Sequence, residues 1–200
     1  MYSRRLACCI APLVCSVDKC FVPSDALHRI ARERGLEKDQ IVQHGLPIRR
    51  GFWDTSSSSG ASSGATLRRR LLPDVDLDEP VVLLVGGGDG MGGIVEIASG
   101  LEQALQGEKA HLVAVCGNNA AARDQLQSSA GSGMTVMGFV DNMDEWMMAS
   151  DVLVTKAGPG TIAEASICGL PCMMFSYLYV CVVYTVGSIR SLAFRHRYPS

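Results

Sequence analysis

Apolar residues in the second half of the chain fall into short continuous runs, separated by longer stretches with helical periodicity. Runs without polar alternation are typical of strands buried on both faces of a sheet. They predict strands at 81–85, 111–116, 134–140, 151–155 and 171–175, with helices at about 92–106, 119–128, 143–149 and 160–168. This alternation predicts an α/β fold with a doubly wound, parallel, Rossmann-like sheet and a ligand site at the carboxyl ends of its strands.

The first part of the chain carries weaker signals. Residues 17–23 read as a short strand, Ser24 as the cap of a helix that ends near Gly35, and residues 41–46 as an extended segment. Residues 1–20 combine a basic start with an apolar stretch, which suits a weak targeting segment or, as we favour, part of a core strand. The Ser- and Gly-rich composition after residue 53 predicts a flexible linker or loop over 54–79.

Composition excludes several classes of protein. Hydrophobic residues make up 48% of the chain and charged residues 19%, which is enough apolar material for a core. A net charge of −2 argues against a nucleic-acid partner. The 8 cysteines contain no CxxC pair and no zinc spacing with histidine, so we expect reduced, buried thiols and no metal site. The apolar run from Cys172 to Ile189 approaches the length of a membrane span, but its first part reads as a strand.

A glycine-rich loop directly follows the strand predicted at 81–85. Glycines let backbone N–H groups approach a phosphate, and the positive end of the following helix points to the same place. The candidate diphosphate-binding residues are Gly86, Gly87, Gly88, Asp89, Gly90, Met91 and Gly92. The alternative is that these glycines only ease the packing of the strand against the helix.

A second glycine-containing loop follows the strand predicted at 151–155. Its candidate phosphate-binding residues are Gly158, Pro159, Gly160 and Thr161. Glu164 lies one turn inside the predicted helix and could accept two ribose hydroxyls. Thr161-x-x-Glu164 is also the spelling of a capping box, which would tie Glu164 to its own backbone.

Four strings in this order resemble the monogalactosyldiacylglycerol synthase family, which belongs to glycosyltransferase family 28. They are LLVGGGDGMG, AVCGNN, GFVDNMDEWM and TKAGPGTIAEASICGLP. The upstream stretch FVPSDALHRIARERGLEKDQIVQHGLPIRRGF looks similar to the end of the same family's N-terminal domain. The resemblance covers about residues 17–53 and 80–176.

The resemblance implies a two-domain GT-B enzyme, of which this chain is a fragment. The implied limits are a remnant of the acceptor domain and crossover at 1–53, the linker at 54–79, the nucleotide-sugar domain at 80–176 and a tail outside the family at 177–200. The C-terminal domain would bind the substrate UDP-galactose without a cofactor. The missing N-terminal half would bind diacylglycerol and membrane lipids and supply the catalytic base, so no catalytic residue is expected here. Plastid envelope membranes are the implied location.

Carried over residue by residue, the resemblance adds four positions to the UDP-sugar site. Phe139 and Val140 would border the uracil with Met143 nearby, and Arg49 would help to neutralise the diphosphate. For Arg49, a solvated surface arginine is the alternative.

Other functions remain open where the sequence departs from the family. The family's Pro-Gly-Gln-Glu loop, which holds the donor sugar, is replaced by Ser176-Tyr177-Leu178-Tyr179-Val180-Cys181. A related family 28 enzyme with another UDP-sugar or lipid acceptor is therefore one alternative, and a non-catalytic nucleotide-binding module is another. An NAD site is disfavoured, because the strand at 111–116 leads into Gly117-Asn118-Asn119 with no acidic residue.

Overall fold

The computed structural model describes residues 17–54, 63–86, 93–156 and 158–176, together with the backbone of Leu6 and Ala7. Two parallel sheets organise these residues, one of three strands and one of five. The strands are β1 Leu6–Ala7, β2 Lys19–Val22, β3 Ile41–Gln43, β4 Val81–Val85, β5 His111–Val115, β6 Met134–Met137, β7 Val152–Lys156 and β8 Cys172–Ser176. The helices are α1 Asp25–Glu33, α2 Gly64–Leu71, α3 Ile94–Ala104, α4 Ala120–Ser129, α5 Met143–Ala149 and α6 Pro159–Ile167.

The larger sheet confirms the predicted fold class. Its strand order is β6-β5-β4-β7-β8, and every neighbouring pair is parallel. The chain moves outward from β4 through β5 to β6 and then crosses to the other side of β4 for β7 and β8. This reversal places a topological switch point between β4 and β7, where doubly wound sheets open a crevice for ligands.

The two faces of the larger sheet bury separate apolar cores, as alternating side chains of β4 show. Leu83 packs into a core that contains Trp146 and Met147 of α5, whereas Leu84 packs into a core with Ile94 of α3. Trp146 is 3% exposed and Met147 is 1% exposed, so these side chains belong to the core. Helices on both faces explain why the strands read as unbroken apolar runs.

The smaller sheet forms around a β2-α1-β3 unit. The Ser24 side chain accepts a hydrogen bond from the backbone N–H of Leu27, as predicted, and Gly35 has a φ of 89° just after the helix. Positive φ favours glycine, so the helix ends there. Cys20 of β2 is completely buried and takes part in a disulfide, so the prediction of reduced thiols is wrong at this position.

Helix α2 lies inside the range that composition assigned to a flexible linker. Its N-cap is Ser63, whose hydroxyl accepts from the Thr66 N–H, and Leu67 is buried. Arg68 ties the helix to the sheet by donating to Asp151 at 2.7 Å and to the Ala149 carbonyl at 2.9 Å. The described part of the former linker is therefore packed structure.

Several sequence interpretations fall outside the described residues: the targeting segment over residues 1–5 and 8–16, the loop at 87–92 and the tail at 177–200. Among the described helices, none has the length and apolar character to cross a bilayer. The described residues also bring together no group of three or more His, Cys, Asp or Glu side chains suited to hold a metal ion.

Candidate functional site

A cavity of about 270 Å³ opens at the carboxyl ends of the central strands. It lies over the ends of β4 and β5 and reaches the first turns of α5 and α6. Its lining residues are Arg49, Val85, Val115, Gly117, Phe139, Val140, Met143, Gly160, Thr161 and Glu164. The structure thus brings seven residues of the predicted site to one crevice at the switch point.

Helix α6 points its N-terminus into this region. Gly158 is the N-cap and Pro159 occupies the first helical position, where its missing N–H costs nothing. A Cβ added to Gly160 would meet no atom of the described residues within 4 Å. The first turn of α6 therefore presents backbone N–H groups and a positive helix end without a side chain at Gly160, an arrangement suited to a diphosphate.

Gly86 has a different reason to be glycine. A Cβ at this position would lie 2.7 Å from Cδ1 and 3.3 Å from Cβ of Ile94 in α3. The alternative interpretation of this loop, glycine for close strand-helix packing, therefore holds at Gly86. The other six candidates of this loop, Gly87, Gly88, Asp89, Gly90, Met91 and Gly92, lie outside the described residues and stay predictions.

Glu164 is a buried carboxylate that binds Arg49, a residue distant in sequence. It is 5% exposed, and helix α6 begins at Pro159, five residues before it. A capping box at Thr161 is therefore excluded, because Gly158 is the N-cap and makes no side-chain capping bond. Arg49 Nε donates to Glu164 Oε1 at 2.6 Å, and Arg49 Nη2 donates to Oε2.

Arg49 joins the segment after β3 to the cavity wall. Its guanidinium lies 5.2 Å from the centre of the Phe52 ring, and its side chain is 50% exposed. The hydrogen bond to Glu164 raises the pKa of Arg49 above its ordinary value, partial burial opposes this shift, and the charges of Glu164 and Asp144 add to it. Arg49 is thus half exposed but held by Glu164 and Phe52, and its role at the diphosphate stays a prediction.

An apolar flank completes the cavity. Phe139 is 66% exposed, an unusual position for an aromatic ring, whereas Val140 and Met143 are buried beside it. An exposed ring next to a cleft can stack on a planar ligand such as a nucleobase. Val85, Val115 and Gly117 also line the cavity and were not predicted, although their positions at the ends of predicted strands were a usable signal. Gly117 has a φ of 59°, which lets the chain turn sharply after β5.

Residues 81–180, half of the chain, match the glycosyltransferase family 28 C-terminal domain. The chain belongs to glycosyltransferase family 28. One relative of this family 28 chain is the probable monogalactosyldiacylglycerol synthase 2 of Oryza sativa subsp. indica. It is 40% identical, and the match covers 81% of this chain and 34% of the relative. Monogalactosyldiacylglycerol synthase 3 of Arabidopsis thaliana is 39% identical over 81% of this chain and 35% of the relative. The chain spans about a third of the length of these relatives.

Solved structures place the family 28 chain among GT-B folds. The UDP complex of MnaA from S. aureus superposes with a TM-score of 0.56 at 15% identity, covering 79% of this chain and 43% of that one. The glycosyltransferase WaaG, involved in lipopolysaccharide biosynthesis, gives a TM-score of 0.54 at 17% identity, covering 88% of this chain and 51% of that one. At such identities the likeness concerns the fold alone.

Proposed function

We propose that this chain is the UDP-galactose-binding part of an enzyme that transfers galactose to 1,2-diacylglycerol and so makes monogalactosyldiacylglycerol. One observation carries the proposal. A single cavity at the switch point is bounded by a helix N-terminus, a buried carboxylate and an exposed aromatic ring. The relatives named as monogalactosyldiacylglycerol synthases supply the choice of donor and acceptor.

Each wall of the cavity suits one part of UDP. The N–H groups at Gly160 and Thr161 face the diphosphate, and Arg49 adds a positive charge on the same side. Glu164 accepts hydrogen bonds from the ribose hydroxyls, while Phe139 and Val140 border the uracil. Because UDP leaves with negative charge, the helix end and the cation stabilise the transition state as well as the bound donor.

The acceptor side of the reaction belongs to the portion of the relatives that this chain does not cover. Residues 1–53 are, in this proposal, a remnant of the acceptor domain and crossover. Residues 80–176 form the donor domain, which the family match extends to residue 180, and the residues after it are a tail outside the family. A base on the acceptor hydroxyl is needed for a single displacement. The chain alone should therefore bind UDP and form no product, and the complete enzyme would act on diacylglycerol at plastid envelope membranes.

Binding of UDP is the first test. Thermal shift with UDP and with NAD, followed by calorimetry with UDP, should show a gain in melting temperature and heat of binding for UDP only. No heat with UDP from chain shown to be folded would overturn the nucleotide site. Galactolipid formation by the purified chain would instead contradict the assignment of the base to a missing part.

Glu164→Ala tests the ribose assignment. Loss of a charged hydrogen bond should weaken UDP binding by about 1.5–3 kcal/mol, measured by calorimetry. The matched control is Glu102→Ala, which removes a carboxylate near the C-terminal end of the neighbouring helix α3, outside the lining of the cavity. If Glu164→Ala lowers the melting temperature and leaves UDP affinity unchanged, Glu164 holds Arg49 for structural reasons only.

A further inference from the structure

The Arg49–Glu164 ion pair occupies the group that the proposed function assigns to the ribose. Both carboxylate oxygens accept from one guanidinium, and the two residues are 115 positions apart in the chain. Such a fork covers one edge of the carboxylate with two parallel hydrogen bonds. A ribose diol needs the same two oxygens, and Glu164 is only 5% exposed. The ligand and the guanidinium therefore compete for one small surface.

The two partners differ in their freedom to move. Glu164 is held inside α6 and is buried, whereas the Arg49 side chain is half exposed and stands on a segment outside the larger sheet. Arg49 also lines the cavity together with Gly160 and Thr161 of the α6 first turn. A rotation of this one side chain can thus carry the guanidinium from Glu164 towards the place where a diphosphate would lie.

We propose that a uridine diphosphate exchanges the partners of this pair, so that the ribose hydroxyls take Glu164 and Arg49 turns to the diphosphate. The inference rests on the proposed function and deepens it. Charge balance supports the exchange, because a buried carboxylate left without a partner is strongly unfavourable and the hydroxyls replace the hydrogen bonds that Arg49 withdraws. Arg49 in turn meets two phosphate charges and keeps charge-assisted bonds.

The exchange ties nucleotide occupancy to the segment after β3. Arg49 contacts the Phe52 ring, and Trp53 Nε1 donates to the Ile48 carbonyl at 3.2 Å, so these residues form one local unit. Release of Glu164 frees that unit from α6 at the moment when the diphosphate engages it. The nucleotide then, rather than Glu164, joins the segment to the larger sheet.

The affinities for uridine and for UDP distinguish this exchange from an Arg49–Glu164 pair that stays in place. Uridine must displace Arg49 from Glu164 and has no phosphate to bind it, whereas the diphosphate of UDP gives Arg49 a new partner. In Arg49→Met, uridine affinity should therefore rise by up to about fivefold, the strength of a partly exposed ion pair. UDP affinity should fall by about ten- to a hundredfold through loss of a charged contact. Titrations of the full chain by calorimetry and ligand-observed NMR measure both.

Arg50→Met is the matched control. Arg50 is the adjacent arginine, its side chain is 79% exposed, and it pairs locally with Asp54. The same substitution there should leave both affinities unchanged. Equal losses for uridine and UDP in Arg49→Met would mean that Arg49 stays on Glu164 and orients it, which overturns the exchange. Unchanged affinities for both ligands would overturn it too. Absence of UDP binding by the folded, unmodified chain would instead overturn the proposed function itself.

The unmodified chain provides a test that does not depend on the stability of a variant. The Nε–H of Arg49, assigned by ¹⁵N NMR, should shift on saturation with uridine as its bond to Glu164 is lost. UDP should move it to a different position, because a phosphate becomes the new partner. A signal that stays in place under both ligands would overturn the exchange.

Discussion

Gly86 and Gly160 follow neighbouring strands of one sheet, yet they are glycine for opposite reasons. At Gly86 a methyl group would press on Ile94 of α3 at 2.7 Å. At Gly160 a methyl group would meet no described atom within 4 Å, and this position lines the cavity. The first glycine permits a close approach of the protein to itself, and the second leaves an approach open to something else.

The comparison shows that glycine in a strand-to-helix turn is not by itself evidence of a ligand. What distinguishes the two positions is the space around the missing side chain. A crowded glycine should therefore affect folding when it is replaced, whereas an uncrowded one beside a cavity should affect binding.

Gly86→Ala should have the largest effect on stability. Overpacking against Ile94 is expected to lower the free energy of unfolding by about 1–3 kcal/mol, measured by chemical denaturation. Ile94→Val removes the nearest atom, so the double variant should be less destabilised than the sum of the two single variants by at least about 0.5 kcal/mol. Strict additivity would show that the contact with Ile94 is not what requires glycine.

Gly160→Ala should show the reverse pattern. Alanine favours a helix, so the free energy of unfolding should stay constant or rise by up to about 1 kcal/mol. UDP binding should weaken by about 1–2 kcal/mol, because a methyl group stands between the helix N–H groups and the diphosphate and a hydrogen bond of about this strength is lost. Calorimetry with UDP measures the affinity.

Gly100→Ala in α3 is the control for the alanine effect. Gly100 is exposed and helical, and its Cβ too would meet no described atom within 4 Å. This variant should gain similar stability and bind UDP as the unmodified chain does. If Gly160→Ala also keeps its full UDP affinity, the difference between the two strand-to-helix turns has no functional meaning.

The opposite edge of the sheet supplies the smallest expected effect. His111 begins β5, contacts Thr135 Oγ1 at 2.8 Å and is buried, which lowers its pKa below the ordinary value of 6.5, although the nearby Glu79 charge opposes this shift. Below pH 6.5 His111 binds a proton in the unfolded chain, whereas in the folded chain it stays neutral until the pH is lower. Stability should therefore fall as the pH drops from 6.5 through the folded-state pKa, by up to about 1.4 kcal/mol for each unit of lowering.

His111→Gln should reduce that loss of stability between pH 7 and pH 5 and leave UDP affinity at pH 7 unchanged. Denaturation at the two pH values, with and without the substitution, measures the difference. Identical pH dependence of the two proteins would show that His111 does not contribute. A change in UDP affinity would show that the two edges of the sheet are coupled.

The larger sheet and much of the cavity were predictable from the sequence. The β4 run VVLLV is buried on both faces, so its pattern needs no knowledge of the neighbouring strands. Phe139 and Gly160 lie a few residues beyond strand ends and Glu164 lies one turn further into α6, and parallel order brings such ends to one edge. Among the strands of the larger sheet, the largest boundary error is at β6, which ends at Met137 rather than at residue 140, because the chain leaves the sheet at Gly138 and exposes Phe139.

Two features could not be read from local pattern. Helix α2 follows a Ser-rich stretch whose composition predicts disorder, and it is stabilised by burial of Leu67 and by Arg68 contacts with residues about 80 positions away. The Arg49–Glu164 pair joins residues 115 positions apart. Tertiary contacts decide both, and a single sequence carries no local trace of them.

The central claim is that UDP binds at the carboxyl edge of the larger sheet, at the switch point. Amide ¹⁵N NMR of the folded chain during titration with UDP tests it most directly. The account predicts the largest shifts at Gly117, Val140, Gly160 and Thr161, with Gly133 and His111 at the opposite edge unaffected. Shifts confined to the opposite edge, or no shifts at saturating UDP, would contradict it.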